Sequence, residues 1–361
     1  RFSLSFVRAV FTSPDAQNVL FSPVSIVSAF SSLMLGARKE TESELFKGFK
    51  FNDTFANPTE VHESFGKFHD YLSSLSNVNY SLHTANSILL QKDLKISDNF
   101  KQAVIKYYHS LIEQVDFEKD GRKIMSEVNE WVAKQTRNTI KEILEQELDA
   151  NTKMIILNAV YFKGKWKNRF DKKFTIARVF YNNGSKQKKI DFMQIEAKYH
   201  LFRNKEYFLV RLDYVGDLSF FLLLPIKRNG LFEVLKNLEM SKLCDNIESM
   251  KERKIDLKLP KFKLESSYML KPILQKLGIS DAFSSKADFS GISDERLFVS
   301  EAIHKAFIKV DEDGTEASAA TAITSRALSL PQQVDVDHPF SFFIMHNPTS
   351  IIFFAGIVNE L

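Results

Sequence analysis

Residues Leu218–Pro225 read LSFFLLLP, a run with one hydroxyl and no charge. A strand of that composition has no face to offer to water, so the chain must cover it on both sides. The run is far too short to cross a bilayer, and Pro225 ends it. Other segments have the patterns to do the covering. MIILNAVYF (Met154–Phe162), YFLVRLDY (Tyr207–Tyr214) and IDLKLPKFKLE (Ile255–Glu265) have strand character, and FSFFIMH followed by SIIFFAGIV predicts a hairpin across Asn347-Pro348-Thr349. Apolar residues at helical spacing mark Pro23–Leu35, where proline suits a first turn. The same spacing marks Lys123–Leu144 as one or two helices, with Trp131, Val132, Ile140 and Ile143 on the apolar side. No Gly/Ser- or Pro-rich linker divides the 361 residues and no repeat recurs, so a single domain over 1–361 is expected.

Charge and cysteine narrow the function classes. Lys and Arg number 49 against 45 Asp and Glu, a net charge of +4. No basic stripe with interleaved aromatics appears, which argues against nucleic acid as a partner. The basic runs Lys186–Lys189 and Lys251–Lys254 read as solvated turns. No apolar run reaches membrane-spanning length, so no membrane partner is expected. The one cysteine, Cys244, rules out an internal disulfide. That fits a cytoplasmic chain, yet acceptor triplets for glycosylation at Asn52, Asn79 and Asn183 point to a secreted, extracellular protein. The chain opens directly in an amphipathic pattern, as a processed N-terminus would. Catalytic signatures are missing: there is no GxSxG elbow, phosphate loop, GxGxxG or HExxH. His62 and His69 lie seven apart on a predicted helix but lack a third ligand, so they read as surface or packing histidines and no metal site is expected.

One passage does not fit a plain globular pattern. Between the strand AFIKV (Ala306–Val310) and the next near Val334–Val336 lie about twenty residues, DEDGTEASAATAITSRALSLPQQ, whose only large apolar side chains are Ile323, Leu328 and Leu330. Structureless connections this long are uncommon in compact domains and usually functional. Composition alone suggests an exposed loop. Parity says more. In Thr315–Ala327 the odd positions (Thr315, Ala317, Ala319, Thr321, Ile323, Ser325, Ala327) are uncharged, while both charges, Glu316 and Arg326, sit at even positions. A strand with its odd face buried would bury no charge. The segment is compatible with two states, an exposed loop and an inserted strand.

Four separated stretches in order, NVLFSPVSIVSAFSSLMLGA (Asn18–Ala37), MIILNAVYFKGKWKNRF (Met154–Phe170), LGISDAFSSKADFSGIS (Leu277–Ser293) and AIHKAFIKVDEDGTEASAAT (Ala302–Thr321), resemble the serpin family over nearly the whole chain. The resemblance implies an α+β fold with three β-sheets, about eight or nine helices and an exposed reactive-centre loop at about 312–333. It further implies a metastable monomer that is not an enzyme, takes no cofactor, and traps a target serine protease as a covalent acyl complex when the cut loop inserts into the main sheet. A non-inhibitory carrier or chaperone is the alternative within the family.

Residue roles carry over by motif. In serpins the reactive bond lies seventeen residues into the loop; counting Glu312 as one gives Leu328, with Ser329 after the cut. Leucine there suits chymotrypsin-like, cathepsin G-like or elastase-like enzymes. The alternative bond, Arg326–Ala327, would draw trypsin-like ones. The hinge resembles the inhibitory type: Gly314 frees the backbone at the pivot, and Thr315, Glu316, Ala317, Ser318, Ala319 and Ala320 place no proline and no inward charge. Ser22, Ser25, Asn158 and His304 match the polar cluster beneath the sheet where strands part. Trp166 matches a tryptophan near the insertion point, and Glu312 with Lys261 matches a hinge ion pair. Two departures are visible: Ile190-Asp191-Phe192-Met193 lacks the family's proline, and FFAGIVNEL lacks the arginine usual after glycine. Val61–Leu75 holds only Lys67 as a base, which argues against heparin as a partner.

Overall fold

Leu218–Pro225 is a strand buried along its whole length, as its composition demands. The rest of the fold supplies its two covers. The computed structural model describes residues 1–74, 80–312 and 330–361. In chain order it runs α1 (Phe2–Val10), β1 (Val19–Phe21), α2 (Pro23–Met34), α3 (Lys39–Gly48), α4 (Pro58–Ser74), β2 (Tyr80–Gln91), α5 (Asp98–Tyr108), β3 (Leu111–Val115), α6 (Gly121–Gln135) and β4 (Met154–Gly164). There follow β5 (Ile176–Asn182), β6 (Lys186–Arg203), β7 (Tyr207–Asp213), β8 (Leu218–Pro225), α7 (Leu231–Asn237), α8 (Met240–Glu248), β9 (Lys251–Pro260), β10 (Phe262–Met269) and α9 (Leu270–Lys276). The last strands are β11 (Glu301–Val310), β12 (Gln332–Asp335), β13 (Phe340–His346) and β14 (Ile351–Val358), the final two forming the antiparallel hairpin read from the sequence.

Hydrogen bonding among the described residues gives two sheets where three were expected. One is five-stranded, in the order β10-β11-β4-β2-β3; the other runs β1-β14-β13-β8-β7-β6-β9-β12 with β5 on β6. The counts differ because β6 is one long strand. Its first part pairs with β5 and β9, while its last residues, His200–Arg203, pair with β7, so two blocks are stitched into one network.

The two faces of β8 serve two cores. Phe220, Leu222 and Leu224 join Val160 and Phe162 of β4 and Ala306 and Ile308 of β11 between the sheets. Phe221 and Leu223 face the core that includes Phe2 and Phe6 of α1, Leu235 of α7 and Leu243 of α8. On the far side of the five-stranded sheet, Ile155, Leu157, Ala159 and Ile303 lie under Ile124, Val128 and Val132 of α6 and under Ile140 and Ile143.

Three local readings change and one narrows. The helix read over Lys123–Leu144 stops at Gln135. Thr136 turns its hydroxyl onto the Val132 and Ile140 backbones, and Arg137 and Asn138 take positive φ, which ends helical propagation; Ile140 and Ile143 are still buried, from an irregular segment. The strand read over Ile255–Glu265 is two strands in different sheets. Pro260 has no N–H to continue the ladder, and Lys261 N–H turns to Asp191 O at 2.9 Å. Lys186–Lys189 and Lys251–Lys254 are solvated strand starts rather than turns. His62 and His69 share a face of α4 but are packing, not surface, residues: His62 Nδ1 meets Tyr108 Oη at 2.5 Å and His69 Nε2 meets Ser28 Oγ at 2.9 Å. Burial lowers both imidazole pKa values to about 4.

Candidate functional site

The central strand of the five-stranded sheet, β4, and its neighbour β11 run parallel and pair directly from Glu301↔Ile155 to Ile308↔Phe162. Their inward-facing row is apolar except at one level. There Tyr268, His304, Asn158 and Asn86 are successive cross-strand partners on β10, β11, β4 and β2, forming a polar rung across the sheet. Beneath it, Ser22 caps α2, with Pro23 at the first helical position, and presents its own N–H upward. That N–H donates to His304 Nε2 at 3.1 Å, which leaves the ring proton on Nδ1, facing Asn158 Oδ1. Asn158 Nδ2 spends its two hydrogens on Ser25 Oγ and Asn86 Oδ1. Asn158 and His304 are fully buried and fully paired, and burial lowers the imidazole pKa to about 3, so the rung is neutral. Parting β4 from β11 breaks its central bond.

At the upper end of β11 the chain leaves through a clamp. Trp166 Nε1 donates to Asp311 O at 2.9 Å while its ring stacks on Tyr214 at 4.3 Å. The next residue, Glu312, is 3% exposed. Its Oε1 receives Lys261 Nζ at 3.0 Å and Thr175 Oγ1–H at 2.7 Å. Burial pushes this carboxyl pKa up, but the Thr175 and Lys261 hydrogen bonds and the lysine charge outweigh it and hold the group below its ordinary value. Downstream, β12 is tied by Lys258 Nζ to Asp335 Oδ1 at 2.6 Å and Gln333 Oε1 at 2.9 Å, and by Arg178 Nη2 to Asp335 Oδ2 at 3.4 Å. The segment 313–329 therefore springs from two anchored roots.

The structure brings together all seven residues read from the sequence for these roles that lie among the described ones: Ser22, Ser25, Asn158 and His304 in and beneath the rung, and Trp166, Lys261 and Glu312 at the root. Gly314, Thr315, Glu316, Ala317, Ser318, Ala319, Ala320, Arg326, Ala327, Leu328 and Ser329 lie outside the described residues, as does Asn79. Sequence reasoning missed Asn86, Tyr268 and Thr175. Asn86 had a readable signal, being the polar member of an inward row that continues as Ile88 and Leu90. Thr175 had none. Asn52 is exposed in a short turn of helix, whereas half-buried Asn183 accepts a bond from Asn359 Nδ2 at 2.7 Å.

Comparison with known proteins places this geometry. The family described as Serpin (serine protease inhibitor) matches residues 1–361. The chain is 38% identical over 367 residues to Iripin-2 of Ixodes ricinus, covering 100% of this chain and 92% of that one. It is 36% identical over 376 residues to the leukocyte elastase inhibitor of Sus scrofa, covering 100% and 97%. The crystal structure of uncleaved ovalbumin superposes with a TM-score of 0.91 at 28% identity, covering 100% of this chain and 98% of that one.

Proposed function

The chain belongs to the serpin family, a family of serine protease inhibitors rather than catalysts, and from that membership we propose that it is a suicide-substrate inhibitor of a chymotrypsin-like or elastase-like serine protease, cut at Leu328–Ser329. It acts as a single monomeric domain over 1–361 with its reactive loop at about 312–333. The observation that carries this reading is the seam between β11 and β4, parallel and directly paired, with the loop root at Glu312 leaving the upper end of β11. A segment that turns back from Glu312 into that seam runs antiparallel to both neighbours. It would replace one parallel interface by two antiparallel ones, the slightly stronger pairing. Some thirteen to fifteen residues at ~3.3 Å each would carry a tethered protease roughly 45–50 Å. At ~1 kcal/mol net per new backbone hydrogen bond, insertion yields on the order of 10 kcal/mol, so the uninserted form is metastable and held by its barrier.

The chemistry belongs to the protease. Its serine Oγ attacks the Leu328 carbonyl, its histidine passes the proton to the departing Ser329 amine, and an ester links protease to loop. The inhibitor supplies bait and mechanical work. Trp166, Lys261 and Thr175 hold the pivot until the cut, and the rung of Ser22, Ser25, Asn158 and His304 keeps the seam paired and must re-pair once a strand lies in it. The exposed Asn52 acceptor supports a secreted, glycosylated protein, whereas one relative carries the name intracellular coagulation inhibitor 2.

Incubation with chymotrypsin, elastase and trypsin, followed by denaturing gels and mass mapping of the released C-terminal peptide, tests the reading. A boiling-resistant adduct and a peptide beginning at Ser329 are expected. A peptide beginning at Ala327 moves the specificity to trypsin-like enzymes. Clean cleavage with no adduct leaves the loop a mere substrate and removes the inhibitory reading.

A further inference from the structure

Exposed large hydrophobic side chains are few, and they are not scattered evenly. Of the seven among the described residues, Phe174, Ile176, Val179 and Leu330 sit at or beside the two loop roots. Phe174 and Ile176, 61% and 50% exposed, flank Thr175, whose hydroxyl is spent on Glu312 at the upstream root. Arg178, two residues on, reaches Asp335 at the downstream root, and Leu330, 95% exposed, leads into β12. The stretch from Phe174 to Arg178, which leads into and begins β5, thus contacts both roots of the loop. Its surroundings are basic: residues 167–179 hold five cations (Lys167, Arg169, Lys172, Lys173, Arg178) against one anion, Asp171, so thirteen residues carry as much net charge as the whole chain.

We propose that Phe174 and Ile176, within this basic rim, form a second docking surface for the protease that attacks the loop, one whose body beside its catalytic cleft presents apolar side chains with acidic neighbours. The inference rests on the inhibitory reading above. An enzyme that holds the loop between these roots is brought against the first residues of β5, so the surface continues the reactive site. Apolar burial there would secure the encounter complex, and the lysines would steer it.

The test is the second-order association rate with chymotrypsin, cathepsin G and pancreatic elastase for wild type, Phe174→Ser/Ile176→Ser, Lys173→Glu, and Ile105→Ser as a distant control that is 62% exposed on α5. The double variant should slow association at least fivefold with one or more of these enzymes, with stoichiometry and Tm unchanged. Lys173→Glu, a change on an exposed side chain that leaves the fold intact, should slow the same reaction most at low salt, and Ile105→Ser should change nothing. Rates within twofold for every variant and enzyme overturn the proposal while adducts still form. Absence of any wild-type adduct removes it together with the inhibitory reading. Wild-type dimers that vanish in the double variant assign the patch to a second copy instead and overturn it as well.

Discussion

Replacing Glu312 perturbs a buried charge at the loop root. The carboxylate accepts from Lys261 at 3.0 Å and Thr175 at 2.7 Å, and its own burial means water does not take their place. In Glu312→Gln the side-chain oxygen can still accept from Thr175, and the charged bond to Lys261 is lost. Hydrogen bonds to charged groups contribute about 1.5–3 kcal/mol. If the bond holds the uninserted state and is broken on the way to insertion, losing about 2 kcal/mol raises the starting state and speeds spontaneous conversion roughly 30-fold. Glu312→Lys sets a buried ammonium against Lys261. Breaking a buried pair this way costs about 3–5 kcal/mol, and conversion should accelerate by two orders of magnitude or more. Lys261→Ala leaves the buried carboxylate with only Thr175 and should speed conversion more than Glu312→Gln, and adding Glu312→Gln to it should bring the rate back toward that of the single Gln variant, because the stranded charge is then gone. The assay is loss of adduct-forming activity and growth of higher bands on native gels during incubation well below the unfolding temperature. If Glu312→Lys stays monomeric and active at a rate within threefold of wild type, the root is not the restraint described here.

Three further outcomes follow from the same geometry. Asn158→Leu strands the His304 Nδ1–H and removes a partner from Ser25 and Asn86 in a buried site; a loss of about 3 kcal/mol in urea unfolding is expected, and an unchanged midpoint would show the rung to be dispensable. Acid should destabilise the fold through His62, His69 and His304, whose folded pKa values lie at about 4, 4 and 3. The unfolded chain binds these protons first, so stability is full above the ordinary histidine value near 6.5 and falls as pH drops toward 4, by on the order of 2 kcal/mol per histidine at pH 5; a urea midpoint equal at pH 7 and pH 5 would contradict it. On expression through a secretory route, peptide mapping should find glycan on exposed Asn52 and none on Asn183, whose side chain is bonded to Asn359; the reverse occupancy would refute the accessibility argument.

What the sequence determined by itself is what local chemistry can encode. The nearly all-apolar Leu218–Pro225 required cover on both faces, Pro23 announced a helix start, and the C-terminal apolar runs around Asn347-Pro348-Thr349 announced a hairpin. Motif resemblance added Asn158, His304, Trp166, Glu312 and Lys261, which the fold gathers at two places, the rung and the loop root. Periodicity failed at Thr136, which stopped a helix whose apolar pattern continued, whereas Pro260 split a strand where the apolar positions slip from odd (Ile255, Leu257, Leu259) to even (Phe262, Leu264). Only the tertiary structure decided that Tyr268, His304, Asn158 and Asn86 share one level, or that Thr175 completes the bonding of Glu312. The reason is physical. Side-chain period tells a strand which face is buried, but the register between strands more than a hundred residues apart, such as β4 and β11, is set by how both faces pack. No local pattern carries that register, and the rung and the loop root both depend on it.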